Sequence, residues 1–575
     1  MSTNVINSKQ ISKGQSSILN SIILKLAPYN IICAKRAEPP DPVEPLKPSA
    51  SRLHVFQRAA VCTDAPQCSE IGRQILLQNG SAVDAAIAAM FCNGLLNQQS
   101  MGLGGGFFMT VFIKDEEKAY TVNARETAPG AATLDMFNGS YDKRGFTRSG
   151  ASVGVPGELR GMWAAHKRWG RLPWDSLIAP SLDLCKSGYP MSKAMYDGVE
   201  MAAAYIKNDH HLRKTYFNTV RSQFYKPGTM VKPSEALCTT FRIIAEKGGD
   251  ELYNGSLAVD FLDDLERIGS IITAEDLRQY EAKISDPIAV PLSNGDILYT
   301  PPPPSSGVIL VNILNILSGY HFNSTSINST EAKILTYHRI LEAFKYLIRN
   351  VTTREYGTEI RLRINDTATS NDTSTYGASE YNQPDSGTAH ISIIATNGDA
   401  VSVTSSINYY YGAGFTTLKT GIIMNNVMDD FSSPGITNFF GLKPSPANFI
   451  APHKRPLSSM SPSIIVDRNG NAKLVIGASG GTKITTAVAL VRDLWFGQSI
   501  KEAVDEPRIH HQITPMQAEY EFGITEDIVK GLLAKGHGMV RYGGRGSIIC
   551  ALYRNQTAIY ANADFRKGGD VRGMD

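Results

Sequence analysis

Two neighbouring stretches of the chain alternate apolar residues with small polar ones. Residues 388–394 read TAHISII, and residues 400–408 read AVSVTSSIN. Between them lies Thr396-Asn397-Gly398-Asp399, and Asn-Gly between two alternating segments is a strong signal for a β-hairpin. The pattern therefore predicts two antiparallel strands joined by a tight turn.

The geometry of that turn decides which residues face each other. A two-residue turn sets Thr388 opposite Ile407, whereas a three-residue loop with Gly398 in the left-handed region sets it opposite Ser406. Both registers bring Ser406 and Asn408 beside Thr388. We therefore expect a second hydroxyl and an amide next to a threonine that begins a strand.

A second hairpin is predicted around Asn469-Gly470, with one strand at residues 463–466 and the other at 473–476. If the turn is centred on this dipeptide, Ser459 lies opposite Gly480. The pairs Ser458-Ser459 and Gly480-Gly481 should then meet at one end of the sheet. A helical pattern follows at residues 482–495, so the glycine amides lie at a helix N-terminus, where they are suited to stabilising an oxyanion.

A glycine-rich run at residues 102–106 precedes a predicted strand at residues 109–113. A dinucleotide-binding loop has the opposite order, with the strand first and a helix after the glycines. We therefore interpret this run as a place where backbones pack closely. Just before it, residues 81–90 are apolar nearly all round and predict a buried helix.

Composition narrows the possible functions. The net charge is +3, from 57 basic and 54 acidic residues, and no basic stripe alternates with aromatic residues, so we expect no nucleic-acid partner. No run of 18 apolar residues predicts a membrane span. The seven cysteines lack metal-binding spacing, and the adjacent histidine pairs at 210–211 and 510–511 are poorly placed to chelate one ion, so we expect no metal.

The N-terminal region gives a weak targeting signal. Residues 18–34 are apolar but interrupted by polar residues and a proline, and a proline-rich linker follows at residues 39–45. Asn-x-Ser/Thr sequences favour a glycosylated, secreted protein. They occur at Asn79, Asn138, Asn254, Asn323, Asn328, Asn350, Asn365, Asn371 and Asn555.

Thr388 is a candidate nucleophile, although an ordinary surface hairpin is the simpler reading of an isolated hydroxyl. A neutral threonine hydroxyl needs an adjacent base, and its own α-amino group can serve once the preceding peptide bond is cut. The pKa of such an amine is about 7.7 to 8 when unperturbed. This chemistry requires no histidine.

Residues 388–408, together with 421–434, closely resemble the γ-glutamyltransferase (glutathione hydrolase) family of N-terminal-nucleophile hydrolases, and the likeness extends from about residue 61 to residue 569. The resemblance implies an αββα sandwich of two sheets between helical layers. It also implies a precursor that cuts itself between Gly387 and Thr388. The expected parts are an N-terminal targeting or linker segment (1–50), a large subunit (51–387) and a small catalytic subunit (388–575), the two subunits forming a heterodimer.

The resemblance also assigns roles to individual residues. Thr388 and Ser406 are catalytic, Gly480 and Gly481 form the oxyanion hole, and no cofactor is implied. The substrate α-carboxylate and α-ammonium groups are bound by Arg125, Asn408, Asp430, Ser458 and Ser459. Arginine suits the carboxylate because its planar group makes two parallel bonds. A Cys68–Cys92 disulfide is implied by animal relatives, and the remaining cysteines are interpreted as buried thiols.

The chain departs from the family pattern at three places. Val427 occupies a pocket position where relatives have a glutamate that binds the substrate ammonium. Residues 345–350 skip a stretch that relatives carry, and residues 365–379, polar and rich in threonine, are expected to be mobile. A third, milder change puts Ser406 where relatives usually have threonine.

The implied reaction is transfer of the γ-glutamyl group of glutathione, or of another γ-glutamyl amide, to Thr388, followed by transfer to water, an amino acid or a dipeptide. The alternative is a secreted, weakly active or non-catalytic relative that binds γ-glutamyl compounds. The expected location is extracellular, and anchored to a membrane if the N-terminal segment is retained.

Overall fold

The structure is a computed structural model that describes residues 39–137, 148–346, 352–377, 380–381, 387–434, 443–489, 493–542 and 546–575. Residues 42–575 form one compact unit. In chain order the strands of the described residues are β1 (His54–Phe56), β2 (Ala59–Thr63), β3 (Gly106–Ile113), β4 (Lys118–Ala124), β5 (Tyr189–Pro190), β6 (Phe217–Asn218), β7 (Gln223–Phe224), β8 (Met230–Val231), β9 (Lys283–Ser285), β10 (Ile288–Pro291), β11 (Ile297–Thr300), β12 (Glu380–Tyr381), β13 (Gly387–Ile394), β14 (Ala400–Asn408), β15 (Lys443–Pro444), β16 (Ser463–Val466), β17 (Ala472–Ser479), β18 (Ile509–His510), β19 (Ala518–Tyr520), β20 (Met539–Arg541), β21 (Ile548–Arg554), β22 (Ile559–Ala563) and β23 (Asp570–Met574).

The α-helices of the same residues are α1 (Pro66–Leu77), α2 (Ala82–Leu96), α3 (Glu158–Trp169), α4 (Trp174–Ser187), α5 (Lys193–Met201), α6 (Ala203–Asn208), α7 (His210–Tyr216), α8 (Glu235–Lys247), α9 (Glu251–Asn254), α10 (Ser256–Arg267), α11 (Ala274–Gln279), α12 (Gly307–Ser318), α13 (Thr330–Lys345), α14 (Arg354–Arg363), α15 (Lys483–Ala489), α16 (Asp493–Phe496), α17 (Ile500–Asp505) and α18 (Glu526–Ala534). Among the described residues, no helix has both the length and the hydropathy needed to cross a bilayer.

Two seven-stranded sheets form the centre of the fold. Sheet I has the order β23-β2-β13-β14-β3-β4-β9, and sheet II has the order β1-β22-β21-β17-β16-β11-β10. Helices α1 to α3 pack on the outer face of sheet I, and α12, α13 and α18 pack with sheet II. A third apolar cluster, which includes Phe112 and Val475, lies between the sheets. The arrangement is the expected αββα sandwich.

The first hairpin lies between the helices on one side and sheet II on the other, and its alternation of apolar and small polar residues matches these two surroundings. Ile391 and Val403 belong to the core shared with the helices, whereas the small polar residues face sheet II. Ser402 donates a hydrogen bond to the carbonyl of Ile476 at 2.9 Å, and His390 packs over Gly477, where a β-carbon would lie 2.2 Å from the imidazole ring. At these positions the two sheets therefore touch through small side chains and hydrogen bonds, in addition to the apolar cluster between them.

The first hairpin has the register of the three-residue loop. Thr388 pairs with Ser406, a bulge next to it pairs Gly387 with Asn408, and Gly398 has φ +93°. The second hairpin has its expected register at Ser463, which pairs with Ile476, but a bulge near the turn pairs Val466 with Ala472. The strands beyond both turns therefore pair as the sequence predicts, and the bulge of the first hairpin brings Asn408 level with Gly387.

The glycine run packs closely against other backbones, as expected. A β-carbon on Gly105 would lie 2.3 Å from the carbonyl oxygen of Ser406, and one on Gly104 would lie 2.0 Å from that of Ile423. Helix α2 precedes this run and is buried over nearly its whole length, and Ser81 caps its N-terminus together with Asp84. These glycines fix the back of the first hairpin.

Two expectations about the rest of the chain need correction. Cys68 and Cys92 form the implied disulfide, but Cys185 and Cys238 also form one; of the described cysteines only Cys62 and Cys550 are buried free thiols.

The segment expected to be mobile packs on the rest of the protein as far as residue 377, with residues 378 and 379 outside the described part. Tyr376 is 1% exposed, and its hydroxyl donates to Glu342 on α13 at 3.0 Å. Polar composition predicted mobility here because the sequence does not show that α13 presents a buried carboxylate; other residues of the segment, such as Thr367 and Thr375, are exposed.

Candidate active site

Thr388 and the peptide bond before it share one hydrogen-bonding partner. Thr388 is 2% exposed, and its Oγ1 donates to Ser406 Oγ at 3.3 Å. Ser406 Oγ in turn donates to the carbonyl oxygen of Gly387 and accepts from the backbone N–H of Asn408 at 2.9 Å. The hydroxyl of Ser406 thus contacts both the predicted nucleophile and the carbonyl that this nucleophile would attack.

A buried lysine holds the carbonyl group of Thr388 itself. Lys567 Nζ donates to Thr388 O and to Asp64 Oδ2, each at 2.7 Å, and both charged side chains are at most 3% exposed. Asp64 also accepts from the backbone N–H of His390 at 3.1 Å. Burial and the nearby Lys567 lower the pKa of His390 to about 3, so this imidazole stays neutral.

Sequence reasoning missed Lys567 and Asp64. They lie 503 residues apart. Nothing in their local patterns marks them as buried, because an isolated lysine or aspartate usually lies at the surface. They join the site only through the neighbouring positions of β2, β13 and β23 in sheet I.

Arg125 is buried and surrounded by carboxylates. It is 1% exposed, bonds to Asp430 through Nη2, and lies 3.2 Å from Glu126 Oε2. Its Nη2 also donates to the carbonyl of Leu457 at 3.3 Å, directly before Ser458. Burial raises the pKa of Glu126, and the adjacent guanidinium opposes that shift. Glu126 was not among the predicted site residues, although it directly follows the arginine.

Asn408 combines an uncommon backbone with a buried acceptor. Its φ is +73°, in the left-handed region, and its side-chain nitrogen donates to the carbonyl of Asn426 at 3.2 Å. Its Oδ1 is buried and accepts no hydrogen bond from the described residues. A buried oxygen of this kind is suited to receive a bond from a ligand cation.

Val427 is fully buried in the short 3₁₀ turn Val427–Asp430. Its Cγ1 would lie 2.4 Å from a β-carbon placed on Gly154, so the valine packs against this backbone. The same turn carries Asp430, whose carbonyl accepts from Asn448 at 2.7 Å.

The second predicted pair of motifs also lies together. Thr485 on α15 donates to the carbonyl of Ser459 at 3.1 Å, and Gly480 and Gly481, with φ of +124° and +64°, lead directly into that helix. Ser458 Oγ accepts from the backbone N–H of Met460 at 3.2 Å. Because Arg125 reaches the carbonyl next to Ser458, this region adjoins the Arg125–Asp430 pair.

A further buried carboxyl group lies behind the hairpin. Glu158, at the start of α3, accepts from Ser405 Oγ at 2.7 Å and is 1% exposed. Burial raises the pKa of this carboxyl to about 8. Ser405 is adjacent to Ser406, so Glu158 supports the strand that carries the Ser406 hydroxyl.

The histidine pair at residues 510–511 is hydrogen-bonded to neighbouring residues. His510 Nδ1 bonds Thr486 at 2.9 Å, and His511 accepts from Ile513 N at 2.9 Å.

Elsewhere in the described part, His338, Glu342 and His537 lie close enough to share an ion. His338 Nδ1 and His537 Nε2 are 2.8 Å apart, and Lys345 bonds Glu342 at 3.0 Å. His537 Nδ1 is buried and has no hydrogen-bond partner among the described residues.

Comparisons with known proteins place the chain in a family. The sequence profile described as Gamma-glutamyltranspeptidase matches residues 68–352 and 346–574. Scoloptoxin SSD14 of Scolopendra dehaani is 41% identical over 546 residues, covering 91% of this chain and 94% of that protein. Glutathione hydrolase 5 proenzyme of Rattus norvegicus is 34% identical over 561 residues, covering 92% and 95%.

Among solved structures, cephalosporin acylase from Bacillus halodurans has the same fold, with a TM-score of 0.76, 23% identity, and coverage of 92% of this chain and 98% of that one. The length of the profile match and the identity to full-length relatives settle the classification. The chain is a member of the gamma-glutamyltranspeptidase family.

Proposed function

We propose that the chain is a precursor that cuts itself between Gly387 and Thr388 and then hydrolyses or transfers the γ-glutamyl group of glutathione and related amides. The observation that carries this proposal is the position of Ser406, whose hydroxyl bonds both Thr388 Oγ1 and the carbonyl oxygen of Gly387. The relative from Rattus norvegicus is named a glutathione hydrolase and a proenzyme.

Self-cleavage begins with attack of Thr388 Oγ1 on the carbonyl carbon of Gly387. The hydroxyl of Ser406 stabilises the negative charge that develops on the carbonyl oxygen. The C–N bond then breaks, an ester joins Gly387 to the threonine oxygen, and the amine takes up the proton. Water hydrolyses the ester and leaves Thr388 with a free hydroxyl and a free α-amino group.

The new α-amino group is the base of the catalytic reaction. It accepts the proton of Thr388 Oγ1 while this oxygen attacks the γ-glutamyl carbonyl, and it returns a proton to the departing amine. Gly480 and Gly481, before the N-terminus of α15, are proposed to bind the oxyanion. Water, an amino acid or a dipeptide then takes the glutamyl group from the ester.

The glutamyl head carries one carboxylate and one ammonium group, and the charges around Arg125 match this pair. We infer that the carboxylate binds Arg125, Ser458 and Ser459. The ammonium binds Asp430 and the free Oδ1 of Asn408. A substrate would replace the direct Arg125–Asp430 bond with one bond to each partner, so neither charge is left buried alone.

We propose that the protein follows the secretory route. Two disulfides fit an oxidising compartment. The asparagines of the described sequons are exposed, which supports glycosylation; they are Asn79, Asn254, Asn323, Asn328, Asn365, Asn371 and Asn555. Asn138 and Asn350 lie outside the described residues, as does the segment 18–34. The division at residues 50 and 387 stays a prediction.

Expression in insect cells with intact mass spectrometry tests the proposal. We expect two polypeptides, the smaller beginning with Thr388, and release of the amine from a γ-glutamyl anilide. The Thr388→Ala variant should remain a single chain with no activity. A wild-type protein that folds but stays uncut and inactive would favour the alternative of a non-catalytic protein that binds γ-glutamyl compounds.

A further inference from the structure

A cavity of about 720 Å³ lies apart from the candidate active site, between α4, α7, β8 and α8. Cys185 and Cys238, which form the disulfide that the sequence did not predict, both line it. Cys185 is partly exposed, and Cys238 is 9% exposed. This disulfide can therefore be reached from a space large enough for a small molecule.

The cavity wall is strongly basic. Lys186, Lys214, Lys232 and Arg242 line it, against one acidic side chain, Glu235. Lys186 also bonds Asp183 at 3.1 Å, outside the cavity lining. A cleft lined mainly by one sign of charge concentrates ligands of the opposite sign. The cavity therefore favours an anionic ligand.

The two sulfur atoms differ in how well each would leave as a thiolate. Cys185 lies in the last turn of α4, near its negative end, whereas Cys238 lies in the first turn of α8. A thiolate is stabilised near a helix N-terminus and near cations, and a more stable thiolate leaves faster. Arg242 follows Cys238 by one helical turn and lines the same cavity. Cys238 is therefore the better leaving group.

We propose that this cavity is a thiol–disulfide exchange site that accepts small anionic thiols. The thiolate of the incoming molecule attacks Cys185 Sγ, the bond between Cys185 and Cys238 breaks, and Cys238 Sγ departs as a thiolate. The product is a mixed disulfide on Cys185 and a free thiol on Cys238. The exchange consumes one thiol, conserves the number of disulfide bonds and needs no added oxidant.

The other disulfide provides an internal control. Cys68 and Cys92 are each 0% exposed and lie in the apolar core between α1, α2 and sheet I. Their bond is out of reach of a dissolved thiol while the protein stays folded. A reagent that opens only Cys185–Cys238 is therefore acting at the cavity and is not unfolding the chain.

The test compares three thiols of different charge on the folded protein: anionic N-acetylcysteine, neutral 2-mercaptoethanol and cationic cysteamine. None is a γ-glutamyl amide, so the result does not depend on the proposed catalytic activity. Exchange is quenched by alkylation and located by peptide mass spectrometry. Corrected for thiolate concentration, N-acetylcysteine should react with Cys185 about tenfold faster than cysteamine at low salt, and added salt should narrow this difference.

Charge variants test the role of the cavity wall. Lys232→Gln combined with Arg242→Gln should reduce the preference for the anionic thiol, whereas Lys530→Gln, on the exposed side of α18, should leave it unchanged. Cys185→Ser should abolish the mixed disulfide.

Three results on the wild-type protein would each overturn the proposal. These are resistance of Cys185–Cys238 to all three thiols, equal opening of Cys68–Cys92, and exchange rates that do not depend on thiol charge.

Discussion

Arg125 bonds directly to Asp430, and the two residues lie on opposite sides of the Gly387–Thr388 bond in the sequence. Both side chains are at most 9% exposed. An α-amino acid carries the same two charges on its own carboxylate and ammonium groups. The two residues therefore already form an ion pair, and the proposed substrate would exchange partners with it.

The first prediction is that Arg125→Lys lowers kcat/KM for a γ-glutamyl anilide by about 10- to 150-fold, the equivalent of one charge-assisted bond. Lysine keeps the charge but loses the planar pair of donors that reach Asp430 and Glu126. Steady-state kinetics measure the effect. Arg278→Lys, in an exposed pair with Glu275, is the matched control. Equal kcat/KM for Arg125→Lys and wild type would remove Arg125 from the pocket.

The second prediction concerns self-cleavage. Ser406→Ala should slow the cut by about 100- to 1,000-fold, because the hydroxyl that bonds Gly387 O is lost. Ser406→Thr keeps a hydroxyl and should cut at a rate close to wild type. Gel electrophoresis of newly made protein follows the rate. Ser402→Ala is the control, because the hydroxyl of Ser402 lies on the same strand but bonds the carbonyl of Ile476. This variant should cut at the wild-type rate.

The third prediction is that Val427→Glu raises kcat/KM by about 10- to 150-fold, the range of one charge-assisted bond. The new carboxylate would add an anionic partner for the substrate ammonium beside Asp430. Val427→Gln introduces a side chain of nearly the same size as glutamate but without its charge, so this variant controls for changes in packing against Gly154. The gain should shrink for substrates without an α-amino group. Equal kinetics for the Glu and Gln variants would contradict the pocket assignment.

The fourth prediction tests the buried pair formed by Lys567 and Asp64. Lys567→Met leaves Asp64 buried without its cation, which should lower the free energy of unfolding by about 3 to 5 kcal/mol and slow self-cleavage. Urea denaturation and the rate of the cut are the measurements. Adding Asp64→Asn should restore part of the stability, since the unpaired charge is gone. If Lys567→Met alone is as stable as wild type, the pair is not structural.

Sequence patterns predicted the two hairpins because each depends on residues close together in the chain. In each hairpin, the alternating residues and the Asn-Gly dipeptide predicted the two strands. Only the length of the first loop was undetermined, so the residue opposite Thr388 could be either Ile407 or Ser406. The disulfide between Cys185 and Cys238, 53 residues apart, has no such local signal, because its formation depends on how α4 and α8 pack.

Charged residues in the core were the hardest to predict. Lys567, Asp64, Glu158 and Glu342 are all buried, yet each is of a residue type that usually lies at the surface. The roles of Arg125 and Asp430 came from family likeness, whereas their direct bond follows from the fold. The sequence thus indicated both as expected substrate-binding residues, but it did not predict the bond that joins them.

The fifth prediction concerns pH. The pKa of Glu158 in the folded protein is about 8, whereas that of an unfolded glutamate is about 4.3. Between about pH 4.3 and about pH 8, the folded chain therefore binds one more proton at Glu158 than the unfolded chain does. Because of this extra proton, the free energy of unfolding of the wild type falls as the pH rises towards 8. The free energy of unfolding of Glu158→Gln, measured relative to wild type, should rise by about 2 kcal/mol as the pH is raised from 6 to 8. Urea denaturation at both pH values measures this. Glu266→Gln, at a surface position of α10, is the control. If the difference in stability between Glu158→Gln and wild type does not change with pH, Glu158 is ionised in the folded protein.

The strand order of sheet I would keep the two cleavage products together. β13 lies between β2 and β14, and β23 lies on the far side of β2, so strands from before and after residue 387 alternate at this end of the sheet. Two products of cleavage would be interleaved and could separate only by unfolding. Refolding would then be a second-order reaction between two chains instead of the closure of one. The mature protein would thus persist because it unfolds slowly, and its lifetime would be set by the barrier to pulling β2 from between its neighbours.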